Sequence, residues 1–139
     1  MKKGYVGGSW EIINAGHCLV FQRCKKSCDV LFVGLNTNKL LKSYKKREAV
    51  FPYKEKKLIL ESIKYVDKVI PVHNFSPLSI LKRLDIDVYY IAEEWKDTKS
   101  EEIAYMKKHG KKVVYIPDFG LTRTSQVKER LLAESLARL

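Results

Sequence analysis

Short runs of β-branched and aromatic residues alternate with longer amphipathic runs along the whole chain, and this alternation restricts the possible folds more than any single motif does. Strands read at Gly4–Val6, Val30–Leu35, Lys68–Val72, Val88–Ala92 and Lys112–Ile116. Helices read at His17–Lys26, Lys54–Tyr65, Pro77–Leu84 and Lys99–His109, with a last one from Thr124 onward. Ser76-Pro77 is an N-cap followed by a proline at the first helical position, and Gly110 is a stop after His109. Val20, Phe21, Cys24 and Cys28 form one apolar stripe, and Ile59, Ser62, Ile63 and Val66 form a second, both expected to face a core. Strand and helix in strict alternation predict a Rossmann-like, doubly wound parallel five-stranded sheet of the α/β class. At 139 residues the chain suits one domain, 1–139. In such a sheet ligands bind beyond the carboxyl ends of the strands, where strand order reverses. The loops following strands one, four and five, which carry GGSWEIINAGH, AEEWKDTKS and PDFGLTRTS, are therefore the places to look.

Composition removes several classes of function. No apolar run approaches the roughly 20 residues of a membrane span, and MKKGYVGG has no signal-peptide hydrophobic region, so a cytoplasmic protein without membrane contact is expected. Cys18, Cys24 and Cys28 are an odd number crowded onto one helix, which suits reduced thiols, and no second ligand pair follows Cys24/Cys28 at zinc spacing. The net charge of +11 is concentrated: Lys39 to Lys57 holds eight basic and two acidic residues. A duplex-tracking protein spreads its cations over a face, whereas a lysine-rich loop around one small polyphosphate gathers them, so no nucleic-acid partner is expected.

Gly7-Gly8 after the first strand, and Gly16-His17 opening the first helix, are arranged for an anion, because glycine admits close backbone approach and a helix N-terminus points unpaired N–H groups at it. TRTSQVKERL from Thr122 supplies a second hydroxyl-rich helix start, and the two can face one ligand. The turn is not GxGxxG, Asn36-Thr37-Asn38 stands where a ribose-binding acid would follow the second strand, and no GxxxxGK[ST] loop occurs. What remains is a phosphate-attracting site with one histidine, several cations and no nucleophile. That suits in-line displacement on a nucleoside triphosphate, where the protein positions groups and neutralises charge.

Four segments, in order and spanning nearly the whole chain, resemble the HxGH nucleotidyltransferases, and among them the small bacterial glycerol-3-phosphate cytidylyltransferases. GSWEIINAGH (Gly8–His17) is similar to GTFDxxHxGH, KLILESIKYVDKVIP (Lys57–Pro71) to a long specific run, Glu93-Glu94-Trp95 to an acidic-acidic-Trp loop, and Asp118–Lys128 to RTxGISTTxIK. The departures are Trp10 for Phe, Glu11 for Asp, Asn14 for the first His, Lys64 for an arginine, Asp118 for the arginine of the last signature and Arg123 for a serine.

The resemblance implies transfer of CMP from CTP to glycerol 3-phosphate or a similar phosphorylated acceptor, with release of pyrophosphate, for surface-polymer precursors. It implies a homodimer, and a Mg2+ bridging the phosphates with few protein ligands of its own. By the same resemblance His17 stabilises the transition state with Asn14 as a weaker partner, and Lys45 and Arg47, or Lys46 beside them, clamp the triphosphate. Lys64 replaces the catalytic arginine, keeping its charge without its fork. Gly8, Ser9, Trp10 and Gly16 offer backbone contacts to the nucleotide, and Glu94, Trp95 and Arg123 lie near it. Thr124 and Ser125 cap the last helix and bind phosphate, and Glu11 faces the acceptor. The alternatives are a different nucleotide or acceptor on the same fold, or a catalytically impaired nucleotide-binding homologue. His73 and His109 have no motif context and read as structural or exposed.

Overall fold

The computed structural model describes residues 1–139. Five strands, β1 (Lys3–Gly8), β2 (Val30–Asn36), β3 (Lys68–Val72), β4 (Val88–Ala92) and β5 (Lys112–Ile116), form one parallel sheet in the order β3-β2-β1-β4-β5. β1 pairs with β2 from Lys3↔Val30 to Gly8↔Leu35 and with β4 from Gly4↔Val88 to Val6↔Tyr90. The chain winds outward from β1 in both directions, so strand order reverses between β1 and β4, and the loops leaving those two strands part to open a crevice.

Side-chain alternation feeds two cores. Val6, Leu31, Val33, Val88 and Tyr90 meet Phe21 and Cys24 of α1 (Ala15–Lys25) on one face of the sheet. Tyr5, Val72, Tyr89 and Ile91 meet helices on the other face. With both faces covered, the strands carry near-continuous apolar runs rather than an alternating pattern. Tyr5 stands so close to β2 that a Cβ on Gly34 would lie 2.0 Å from its hydroxyl oxygen.

The helices differ from expectation in four places, the first being α1, which starts at Ala15, two residues before the expected His17. Asn38–Lys45, inside the lysine-rich stretch expected to be a loop, forms α2, capped by Thr37, whose Oγ1 accepts from the Leu40 amide at 3.2 Å. Buried Leu40 and Leu41 seat it, and its lysines face water. α3 (Tyr53–Glu61) is shorter than expected, and the stripe of Ile59, Ser62, Ile63 and Val66 is not its buried face. Ile59 and Ser62 are exposed and Lys56 and Leu60 are buried, while Ile63 and Val66, past the end of α3, do pack into the core as expected. A buried lysine among apolar neighbours misled the periodicity. α4 (Leu78–Arg83) begins one residue late, with Ser76 Oγ accepting from the Leu78 amide at 3.3 Å. α5 (Ser100–Lys108) ends as expected at Gly110, whose φ of +67° no side chain opposes. The last helix is α6 (Thr124–Ala137).

Candidate active site: a two-lobed cleft at the strand reversal

Beyond the carboxyl ends of β1, β4 and β5 lies a cleft of two lobes, about 630 and 620 Å³. The inner lobe runs under β1 toward α2 and the β3–α4 loop, and the outer lobe lies against the β5–α6 loop. His17, Lys45, Ala92, Glu94, Thr124 and Ser125 line both and form the wall where the lobes join.

Two helix N-termini converge on that wall. Asn14 caps α1: its Oδ1 accepts from the amides of Gly16 (3.0 Å) and His17 (3.4 Å), and its Nδ2 donates to the Ile12 carbonyl (2.9 Å) and to Thr124 Oγ1 (3.4 Å). Thr124 Oγ1 in turn donates to the Ile12 carbonyl at 3.1 Å. The start of α1 is thus bonded to the start of α6, and their positive dipole ends face one volume. The Asn14 side chain, expected to act as a weaker partner of His17, bonds to backbone groups and Thr124 in this structure. Thr124 and Ser125 do not cap α6 either: Arg123 holds the cap position, and its amide donates to Gln126 Oε1 at 2.9 Å. The Thr124 hydroxyl faces α1, which is why it cannot fold back on its own helix.

The same cap fixes the histidine. The Asn14 amide donates to His17 Nδ1 at 3.3 Å, completing a reciprocal capping box. Burial lowers the His17 pKa, so the ring is neutral near pH 7, and with Nδ1 accepting, its proton lies on Nε2. The Trp10 ring packs against it, meeting the imidazole edge-on at 5.2 Å. Trp10 adopts φ +47°, a left-handed conformation that costs an indole side chain about 1–3 kcal/mol. A hydrogen bond from Nε1 to the Gly34 carbonyl (2.9 Å) and packing on Phe21 (4.7 Å) hold it there. Its side chain is therefore a core anchor that aims the glycine turn, and Gly8 and Ser9 line the inner lobe beside it.

Glu11 occupies the floor of the inner lobe. It is buried and has three cations around it: Arg47 at 3.1 Å, Lys56 at 3.5 Å and Lys128 at 3.5 Å. The Val50 amide also donates to it at 3.2 Å. Burial pushes the Glu11 carboxyl upward, but the Arg47 and Val50 hydrogen bonds and the charges of Lys56 and Lys128 outweigh that and hold its pKa below the ordinary value. Glu11, expected to face the acceptor, lines the inner lobe, and both its oxygens face cations. Lys56 is fully buried and donates to the Ser9 carbonyl at 3.3 Å, so it ties the glycine turn to α3. Lys56 was invisible as a site residue, because in sequence it is one lysine among many. Its only signal is a charged residue four before the buried Leu60.

The other expected residues divide as follows. Lys45 and Arg47 line the cleft, whereas Lys46 ends α2 in a left-handed conformation and does not. Glu94 and Trp95 sit on the 3₁₀ turn Glu93–Trp95 after β4, Glu94 in both lobes and Trp95 in the inner one. Gly16 and Arg123 line the outer lobe. Lys64 lines neither: α3 has ended by Glu61, and the side chain lies exposed with Nζ 5.1 Å above the Tyr65 ring. Asp118 and Arg123, both departures from the resembled signature, form an ion pair across the β5–α6 loop, and Asp118 Oδ1 accepts from the Gly120 amide at 2.9 Å. A basic group therefore still borders the outer lobe.

A strand-reversal cleft walled by two helix N-termini, a neutral histidine and several lysines defines an α/β protein built to hold a nucleotide's phosphates. The cytidylyltransferase-like family model matches residues 5–130. Glycerol-3-phosphate cytidylyltransferase of Bacillus spizizenii is 31% identical over 130 residues, covering 93% of this chain and 96% of that protein. Its counterpart in Staphylococcus aureus is 26% identical over 132 residues, covering 94% and 96%. The lipopolysaccharide core biosynthesis protein of Thermoplasma volcanium superposes with a TM-score of 0.72 at 18% identity, over 88% of this chain and 99% of that one, and shares the fold. The chain belongs to the cytidylyltransferase-like family and is an enzyme of that type.

Proposed function

We propose that the protein transfers CMP from CTP to a small phosphorylated acceptor and releases pyrophosphate. The observation that carries this is the join of the two lobes: the groups suited to phosphate, His17, Lys45, Thr124 and Ser125, lie on the one wall that both lobes share. A nucleotide in the outer lobe and an acceptor in the inner lobe would bring their phosphates together there. An acceptor phosphate oxygen attacks the α-phosphorus, the bond from that phosphorus to the oxygen bridging to the β-phosphate breaks, and pyrophosphate leaves with that oxygen. No protein group forms a covalent intermediate. Nε2–H of His17 donates to the charge that develops on the transferring phosphoryl oxygens, and Lys45 neutralises the polyphosphate.

No group of three or more His, Cys, Asp or Glu side chains is placed to hold a metal, and Glu11 is surrounded by cations. A Mg2+ entering with the nucleotide would find Glu94, the carboxylate that lines both lobes, as its protein partner. When bound it would supply charge neutralisation for the leaving pyrophosphate. The helix-terminus wall serves phosphates of any nucleoside, and the preference for cytosine rests on the relatives. Calorimetric titration with CTP, UTP, ATP and GTP in the presence of Mg2+ tests it. CTP is expected to bind most tightly, and equal affinities or a preference for ATP would remove the cytidylyl assignment.

A further inference from the structure

The inner lobe holds more recognition surface than a three-carbon phosphate ester needs. Tyr44, Phe75 and Trp95, from α2, the β3–α4 loop and the 3₁₀ turn, all line it and are 36%, 48% and 43% exposed. Tyr44 and Phe75 meet edge to face at 5.8 Å. Three aromatic side chains from three elements, left open in one concavity, mark a surface that a ligand covers. Beside them is a polar cluster: Ser9 Oγ lies 2.5 Å from the Tyr44 hydroxyl, and Asn36 Nδ2 donates to both, at 3.0 and 3.1 Å. Aromatic faces next to such a cluster suit a hydroxylated carbon chain, whose C–H faces stack while its hydroxyls find partners.

The charges in the lobe locate a second anion. Arg47 and Lys128, which line the lobe, are committed to Glu11. Lys45 is on the wall shared with the outer lobe, where the reacting phosphate belongs. Lys99 lines only the inner lobe. It is half-buried, its Nζ donates to the Phe75 carbonyl at 3.0 Å and lies 3.9 Å from the Phe75 ring centre, and no carboxylate is within 4.0 Å of it. Glu102, whose charge acts on Lys99 from beyond ion-pair distance, accepts from Ser76 Oγ at 2.5 Å. An ammonium group has three donors, and only one of these is used inside the protein.

Resting on the transferase reading above, we infer that the acceptor is a phosphorylated polyol or sugar longer than glycerol that carries a second anionic group, its carbon chain lying on Tyr44, Phe75 and Trp95 and its far anion on Lys99. Two probes differing only in that anion test it: 6-phosphogluconate, which ends in a carboxylate, and glucitol 6-phosphate, which ends in a neutral CH2OH. With CTP and Mg2+, pyrophosphate release should show kcat/KM about tenfold higher for 6-phosphogluconate, the size of one charge-assisted hydrogen bond. Lys99→Met should erase that ratio, whereas Phe75→Ala should weaken both probes alike. Equal use of the two probes, better use of glycerol 3-phosphate than of either, or a ratio that survives in Lys99→Met overturns the inference.

Quenching of Trp95 fluorescence without nucleotide separates this idea from the transferase reading, because the second tryptophan, Trp10, is buried. If no acceptor releases pyrophosphate yet 6-phosphogluconate still quenches more tightly than glucitol 6-phosphate, and only when Lys99 is present, the transferase reading fails and the subsite stands. If neither assay shows the preference, the subsite is refuted.

Discussion

Replacing Glu11 by Gln keeps the volume and one carbonyl acceptor of the side chain but removes the charge that three cations share. Breaking a buried pair costs about 3–5 kcal/mol when the remaining charge has no water. Lys56 is in that position, fully buried with only the Ser9 carbonyl left, whereas Arg47 and Lys128 are 40% and 33% exposed and regain solvent. The glutamine oxygen also still accepts a hydrogen bond, so the expected loss is about 2–3 kcal/mol. With unfolding entropy near ~2.1 cal/mol/K per residue, a chain of this length loses about 3–4 °C of Tm per kcal/mol, so differential scanning calorimetry at pH 7 should show a fall of about 7–10 °C. The pH dependence has a definite sign. The folded Glu11 pKa is depressed, so its stabilisation is present above the unfolded value near ~4.3 and is lost as pH falls through the lower folded value. The gap between wild type and Glu11→Gln should therefore close in acid. Adding Lys56→Met to the variant should recover at least half of the loss, because the orphaned charge goes with it. A Tm change under 2 °C at neutral pH, or a gap that stays constant down to pH 3, would refute the idea that Glu11 is the counter-charge of this cluster.

His17→Ala should lower kcat by about 10²–10³, the effect of removing one preorganised donor, with an unchanged far-ultraviolet dichroism spectrum; full turnover would move the chemistry elsewhere. Because burial lowers the His17 pKa, the wild-type rate should hold as pH falls through ~6.5 and decline only below it, which a kcat profile from pH 5 to 8 checks. Gly34→Ala places a Cβ 2.0 Å from the Tyr5 hydroxyl oxygen and 2.7 Å from Cζ, and should destabilise by about 3 kcal/mol in urea titration. Tyr5→Phe in the same chain should restore part of this, since it removes only the nearer atom. Arg123→Ala should raise KM for CTP about tenfold in steady-state kinetics, whereas Asp118→Ala, which frees Arg123, should change it less than twofold.

The sheet was legible because each strand is a short apolar run between polar helix surfaces, and a parallel sheet buried on both faces produces that pattern. Which loops border the cleft followed from the alternation alone, whereas the first helix starts at Ala15 under an Asn14 cap, two residues before the expected His17. The roles of individual polar residues were less legible. Asn14 reads as a weakened catalytic partner until its amide is seen satisfying three backbone groups and Thr124. Lys64 and Lys56 are both lysines of one amphipathic stretch, and only the early end of α3 at Glu61 decides that the first is outside and the second inside. Asp118 and Arg123 look like two separate losses in sequence, yet they are one ion pair, and pairing between loop residues leaves no periodic trace.

The hydrogen bonds that join Asn14 and Ile12 to Thr124 connect residues 110 and 112 positions apart. A contact of such high sequence separation has a large loop-closure entropy and forms late in folding. The β1–β2 pairing and the packing of α1 require none of the last helix, so a refolding chain recovers most of its secondary structure before α6 arrives. Competence then appears as the final event: recovery of activity should lag behind recovery of dichroism. Mild denaturant that detaches α6 should silence the protein while its sheet persists.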